Sequence, residues 1–140
     1  MSEGKGLMQQ SLSLQRAIVA ALEADPGLIA AGVRVHDGPP ADARPPFVTL
    51  GPDMVVPWQW QGGGGEEHRL ALTAWIGREG IASAKAVLAN VSGAILGMPR
   101  TTEGLRIVTL RLLRGQVRRN PRSWTEGRLE FLARTMKEDN

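Results

Sequence analysis

Between Glu67 and Met98 the hydrophobic period changes from two to 3.6, and that change constrains everything else the chain can do. Glu67-His68-Arg69-Leu70-Ala71-Leu72-Thr73-Ala74-Trp75-Ile76 alternates. Leu70, Leu72, Ala74 and Ile76 share one side; Arg69, Ala71, Thr73 and Trp75 share the other. A period of two is a strand with one buried face. After Gly77 to Gly80, the residues Ile81, Ala84, Leu88, Val91 and Ile95 recur at helical spacing, widened by Val87 and Ala94. Gly97 and Pro99 then stop the helix. A long central strand followed by a core helix needs neighbours on both.

The flanking segments supply them. Ser11 or Ser13 can cap a helix running to about Ala24, with Leu14, Ile18, Ala21 and Leu22 on its inner side. Asp25-Pro26-Gly27 breaks it. Val33 to His36 and Phe47 to Gly51 read as short strands, separated by a proline-rich loop over 37–46. Leu105 to Val117 reads as a long strand, with Val108, Leu110 and Leu112 on one side and Ile107, Thr109, Arg111 and Leu113 on the other. Asn120-Pro121-Arg122-Ser123 is a turn. Trp124 to Thr135 returns as a strand, with Leu129, Phe131 and Ala133 inward and Arg128 and Glu130 outward. The expected fold is one α+β domain over 1–140. It has a predominantly antiparallel sheet of about five strands and two helices packed on one face. The ends, at about 1–10 and 136–140, are expected to be disordered.

Residues 54–66 are unusual. Val55, Val56, Trp58 and Trp60 stand next to Gly62-Gly63-Gly64-Gly65. Consecutive glycines carry the most backbone entropy, so a mobile segment is expected. Two tryptophans beside it need either the core or another subunit. Trp75 reads as sheet packing.

Charge is uneven. Arg100 to Arg134 holds nine arginines, no lysine and three acids, a local +6 in a chain of net +3. Arg111, Arg114, Arg118, Arg119 and Arg122 form a basic hairpin that suits an acidic protein surface or nucleic acid. Arg114 and Arg118 share one face of the strand, and Arg111 and Arg119 the other. A groove-reading patch keeps its charges on one face. Without tyrosine, and with few phenylalanines, the chain has no platform for stacking bases.

Sites for chemistry are hard to find. The glycine run lacks the Gly-Lys-Ser/Thr of a phosphate loop and is followed by Glu66-Glu67. His36, Asp37, Glu66, Glu67 and His68 are the plausible metal ligands, but they lack a recognised spacing, so no metal site is expected. Cysteine is absent, and there is no Gly-x-Ser-x-Gly elbow. No catalytic residue and no cofactor is assigned. No apolar run reaches membrane-spanning length, so no membrane partner is expected.

Several pieces in order resemble the tail-terminator, or tail-completion, proteins of phages, prophages and gene transfer agents. They are Leu14-Gln15-Arg16-Ala17-Ile18 with Ala20-Ala21-Leu22, then Asp25-Pro26, then Pro46-Phe47-Val48-Thr49-Leu50-Gly51. Glu67-His68-Arg69-Leu70-Ala71-Leu72 before Trp75 follows, and then Gly127-Arg128-Leu129-Glu130-Phe131-Leu132-Ala133. They span about Leu12 to Thr135. Asn120-Pro121 departs from the Asp-Pro expected in the turn.

The resemblance implies a non-enzymatic ring, of hexameric type, that caps the head-proximal end of a tail tube. Its implied partners are further copies of itself, the tube protein and a head-side connector or stopper. DNA would pass through the ring without sequence-specific binding. The particle would be made in the bacterial cytoplasm, with this protein in its tail or neck. On this reading Val55, Val56, Trp58 and Trp60 contact a subunit or the tube, and the arginine hairpin is a second contact. The alternative is a nucleic-acid-binding module using hairpin 111–128. A third reading, a small enzyme using His68 with Glu66 or Glu67, requires a pocket with perturbed carboxylates.

Overall fold

The structure, a computed structural model, describes residues 3–38, 42, 44–60, 63–78, 80–120 and 124–138. The helices are α1 (Glu3–Glu23), α2 (Pro26–Ala30) and α3 (Ile81–Leu96). The strands are β1 (Arg34–His36), β2 (Phe47–Leu50), β3 (Met54–Trp60), β4 (Gly63–Ile76), β5 (Thr101–Thr102), β6 (Leu105–Arg119) and β7 (Thr125–Lys137). All seven strands join one sheet, in the order β1-β2-β4-β7-β6-β5, with β3 also on β4.

The central strand and helix are as the periodicity requires. Leu70, Leu72, Ala74 and Ile76 of β4 are buried, as are Ala84, Val87, Leu88, Val91 and Ile95 of α3. Ile81, expected in the helical stripe, is exposed because it opens the first turn. Leu14, Ile18 and Leu22 of α1 complete the helical layer against Leu129, Phe131 and Ala133 of β7. Gly127 sets how closely α3 approaches: a methyl group there would meet Leu88 Cδ1 at 2.6 Å. At the far end of α3, Arg100 donates to the carbonyls of Met98 (2.7 Å) and Leu96 (2.9 Å), covering acceptors the helix leaves free. Glu103 and Gly104 both take positive φ, as a tight two-residue hairpin turn between β5 and β6 requires.

Four expectations need correction. The described residues form three helices, because Asp25 caps a short α2 by accepting from the Leu28 amide at 3.0 Å. The sheet has seven strands, not five, and is mixed, since β1 and β2 run parallel. The glycines Gly63, Gly64 and Gly65, expected to be mobile, lie in β4 and pair with Trp60, Gln59 and Trp58. Gly62 is outside the described residues. Finally, α1 begins at Glu3, within the stretch expected to be unstructured. Gln10 fixes this end: its amide donates to Glu66 Oε1 (3.5 Å) and accepts from the Thr135 hydroxyl (2.7 Å).

One register detail changes the reading of the arginines. β6 carries two irregularities, one between Ile107 and Thr109 and one between Leu112 and Arg114. Each adds a residue and flips the sidedness that follows. The first puts Leu105, Ile107, Leu110 and Leu112 on the helix side. The second puts Arg114, Gln116 and Arg118 opposite Glu130, Arg128 and Glu126, on the outer face.

Candidate functional site

β4 is the axis of the site. It is 14 residues long, roughly 45 Å of strand. β7 pairs with it along one edge from Ile76 to Glu66. On the other edge β2 and β3 lie end to end, joined at Gly51, whose amide donates to the Ala71 carbonyl at 2.8 Å. The β3–β4 hairpin therefore turns at one end of the sheet. The β6–β7 hairpin, whose β7 starts beside Ile76, turns at the other.

The tryptophan end is built on glycine. β7 comes so close to Gly65 that any side chain there would collide with the Thr135 carbonyl oxygen. Trp58 is the cross-strand neighbour of Gly65, an arrangement in which an aromatic ring covers backbone that glycine leaves bare. The Arg134 guanidinium lies over the Trp58 ring, 5.2 Å from its centroid, and its Nε donates to Glu67 Oε1 at 3.0 Å. Trp58 is half-buried on the outer face beside Val56, 40 % exposed, and Met54, 61 % exposed. Val55 is opposite His68, so it belongs to the helix side. The backbone of Trp60 continues β3; its side chain lies outside the described residues.

At the opposite end an aromatic cluster closes the outer face. Trp75 is 6.2 Å from both Phe47 and Trp124, and its Nε1–H donates to Thr49 Oγ1 at 3.0 Å. Trp75 is sheet packing, as its position in the alternation indicated.

Between the two ends, Pro52, Asp53, Met54, Arg69, Leu113 and Arg128 are among the residues lining a cavity of about 250 Å³ on the outer face. Burial there raises the Asp53 carboxyl above the usual carboxylate range, against the Ala71 backbone hydrogen bond that lowers it. Asp53, Arg69 and Leu113 were not singled out from sequence; only the fold brings them together.

The bulge between Leu112 and Arg114 gathers Arg111, Arg114 and Arg118 on the outer face, where the alternation had split them. Arg119, opposite Thr125, faces the helix side. Arg122 lies outside the described residues, with Pro121 and Ser123 of the turn. Arg114 and Arg128 share Glu130, at 3.7 and 3.3 Å.

The histidines and acids do not converge. His68 is fully buried under α1, with Nε2 2.7 Å from Thr135 Oγ1. The Thr135 proton goes to Gln10, so His68 donates through Nε2–H and is neutral, with Nδ1 unprotonated. Burial pushes its pKa down to about 4 and raises that of Glu66. Glu67 faces the other side of the sheet, toward Arg134, and His36 packs edge-on against Phe47. Among the described residues no group of three or more His, Cys, Asp or Glu side chains is placed to hold a metal. No helix among the described residues is long and apolar enough to cross a membrane.

The family model for tail completion protein gp17 matches residues 16–136. A chain from the virion of a native gene transfer agent particle is 31% identical, with a TM-score of 0.74 over 90% of this chain and 96% of its own. The gp17 protein of bacteriophage SPP1 is 22% identical, with a TM-score of 0.64 over 93% of this chain and 94% of its own, a likeness of fold. No curated protein matches the sequence.

Proposed function

The chain belongs to the tail completion protein gp17 family, and from that premise we propose that it forms a ring, of hexameric type, capping the head-proximal end of a tail tube. Its role is structural, in tail assembly, and it is a component of a phage-like particle. The finer reading rests on one observation above all. A single sheet carries two long hairpins, β3–β4 and β6–β7, that turn at opposite ends, one apolar and one basic.

Tube subunits add through a heterologous contact that has no geometric reason to stop. A ring matching the tube on one side, and different on the other, removes the site for the next subunit. In this proposal Val56, Trp58 and Trp60 meet a neighbouring copy or the tube, with Val55 supporting them from the helix side. The arginine hairpin faces the head-side connector or stopper, and DNA passes through without being read. A nucleic-acid-binding module is the weaker reading, because Glu126 and Glu130 lie among the arginines of the outer face.

Deleting the gene tests the proposal. Heads should fill normally while tails are over-long or unjoined, and added purified protein should restore joining. Normal tails and normal infectivity or transfer in the deletion strain would overturn it. Unfilled heads would move the protein to the packaging side.

A further inference from the structure

β6 is sparsely covered beyond its first few residues. β7 occupies one of its edges; on the other, β5 reaches only Leu105 and Arg106. From Thr109 to Arg119 that second edge has no strand partner among the described residues. Its faces are open too: every residue from Arg111 to Gln116 is exposed, on both sides of the strand. Across the sheet the same stretch of β7 is well covered, with Leu129 and Phe131 buried. The helical layer thus covers β7 and the first part of β6, and leaves the stretch from Arg111 to Gln116 overhanging. Val108, Leu112 and Leu113 are large apolar side chains left 48, 40 and 38 % exposed on this one strand.

An unpaired row of N–H and C=O groups is a template for another strand. Its side chains say which strand it accepts. Arg111 and Arg118 on the outer face, and Arg119 on the helix side, have no acidic partner within 4.0 Å among the described residues. A second copy's β6 would bring the same arginines against them. A second copy's β3 offers a free edge, but Pro57 interrupts it: proline has no N–H and sits where a ladder bond is absent.

We propose that the open edge of β6, residues 109–119, is a docking site for an extended acidic segment of a different protein of the particle, which adds as a further strand. Backbone hydrogen bonds supply the attachment, Leu112 and Leu113 supply apolar contact on the two faces, and the unpaired arginines select acidic side chains. The two bulges twist the edge and keep it from pairing indiscriminately. The inference rests on the assembly role proposed above, and it names how the basic hairpin engages its partner.

The test uses the full chain, isotope-labelled, with a short synthetic peptide alternating glutamate and valine as the probe. Binding should protect alternate amides within 109–119 from hydrogen exchange and leave β3 unaffected. Arg111→Glu with Arg118→Glu should keep the fold and weaken binding on the order of tenfold, and replacing the probe's glutamates by lysine should abolish it. Three results would overturn the proposal: no protection at millimolar peptide, equal protection along β3, or tighter occupation of the same strand by duplex DNA. Protection that rises with protein concentration alone would assign the edge to a second copy instead. Supplying the double variant to the deletion strain separates this idea from its premise. Full rescue by the variant sinks the docking edge while the tail role stands. Failure of the wild-type gene to rescue sinks the premise.

Discussion

His68 should make the fold sensitive to mild acid, and substituting it should remove that sensitivity. The ring is neutral and fully buried, donating to Thr135, which in turn donates to Gln10 of α1. Burial lowers its pKa from the ordinary 6.5 to about 4. The sign follows from proton counting. Between those two values the unfolded chain holds a proton on this histidine and the folded chain does not, so lowering the pH favours unfolding. The stabilisation is therefore complete above pH 6.5 and is lost as the pH falls through about 4.

At full linkage that displacement is worth about 3 kcal/mol. The ring is covered by one helix near an end of the sheet, so local opening of α1 should reduce the realised amount to about 2 kcal/mol. Glu66, two residues away on the same side, has a pKa raised above the ordinary 4.5 and works in the opposite direction, within the same pH range. Subtracting a variant removes that background. His68→Gln keeps an N–H donor and cannot titrate. Urea melts of both proteins at steps from pH 7.5 to 4.5 give the comparison. The wild type's advantage should be greatest at neutral pH and shrink by about 2 kcal/mol across the range. Parallel curves would refute the burial argument, since they would mean that His68 titrates alike in both states.

Further perturbations bear on packing and on assembly. Gly127→Val should cost about 1–3 kcal/mol in a denaturant melt by pushing against Leu88, and Leu88→Ala should relieve part of that cost. Gly65→Ala should cost more, at least about 3 kcal/mol, because its neighbour is the Thr135 carbonyl and not a side chain that can move aside. Trp58→Ala should cost about 1 kcal/mol in thermal stability through the lost Arg134 contact, yet abolish assembly as read by light scattering with tail tubes present. A loss of 3 kcal/mol or more, the range of a core truncation, would make Trp58 a core residue instead.

The parts of the fold legible in the sequence are those where one side of an element is buried. β4 and β7 alternate because α1 and α3 cover one side of them, and α3 shows its stripe because it rests on both. β3 carried no such signal. Val55 faces the helices, but Val56 and Trp58 opposite are also large and apolar, so the segment has no alternation to read. The glycines beside it resemble a flexible tip, and only the closeness of β7 explains Gly65. Nor does the start of α1 announce itself, since it is held by the polar side chains Gln10, Thr135 and Glu66, which come from three elements far apart in sequence.

β6 is the instructive case for function. Its bulge between Leu112 and Arg114 leaves no trace in the hydrophobic pattern, because the residues around it are exposed on both sides and either register costs the core nothing. The same absence of burial that makes the bulge invisible is what makes the strand available. Reading alternation through the bulge separates Arg111 from Arg114 and Arg118, and scattered arginines suggest only solvation. With the extra residue counted, the three stand along one face, with the strand's free edge beside them. A charge pattern on an open strand therefore has meaning only after its register is known, and that register is fixed from across the sheet, by Phe131 and Leu129 pairing with Leu112 and Gly115. The buried strand decides what its exposed neighbour presents to a partner.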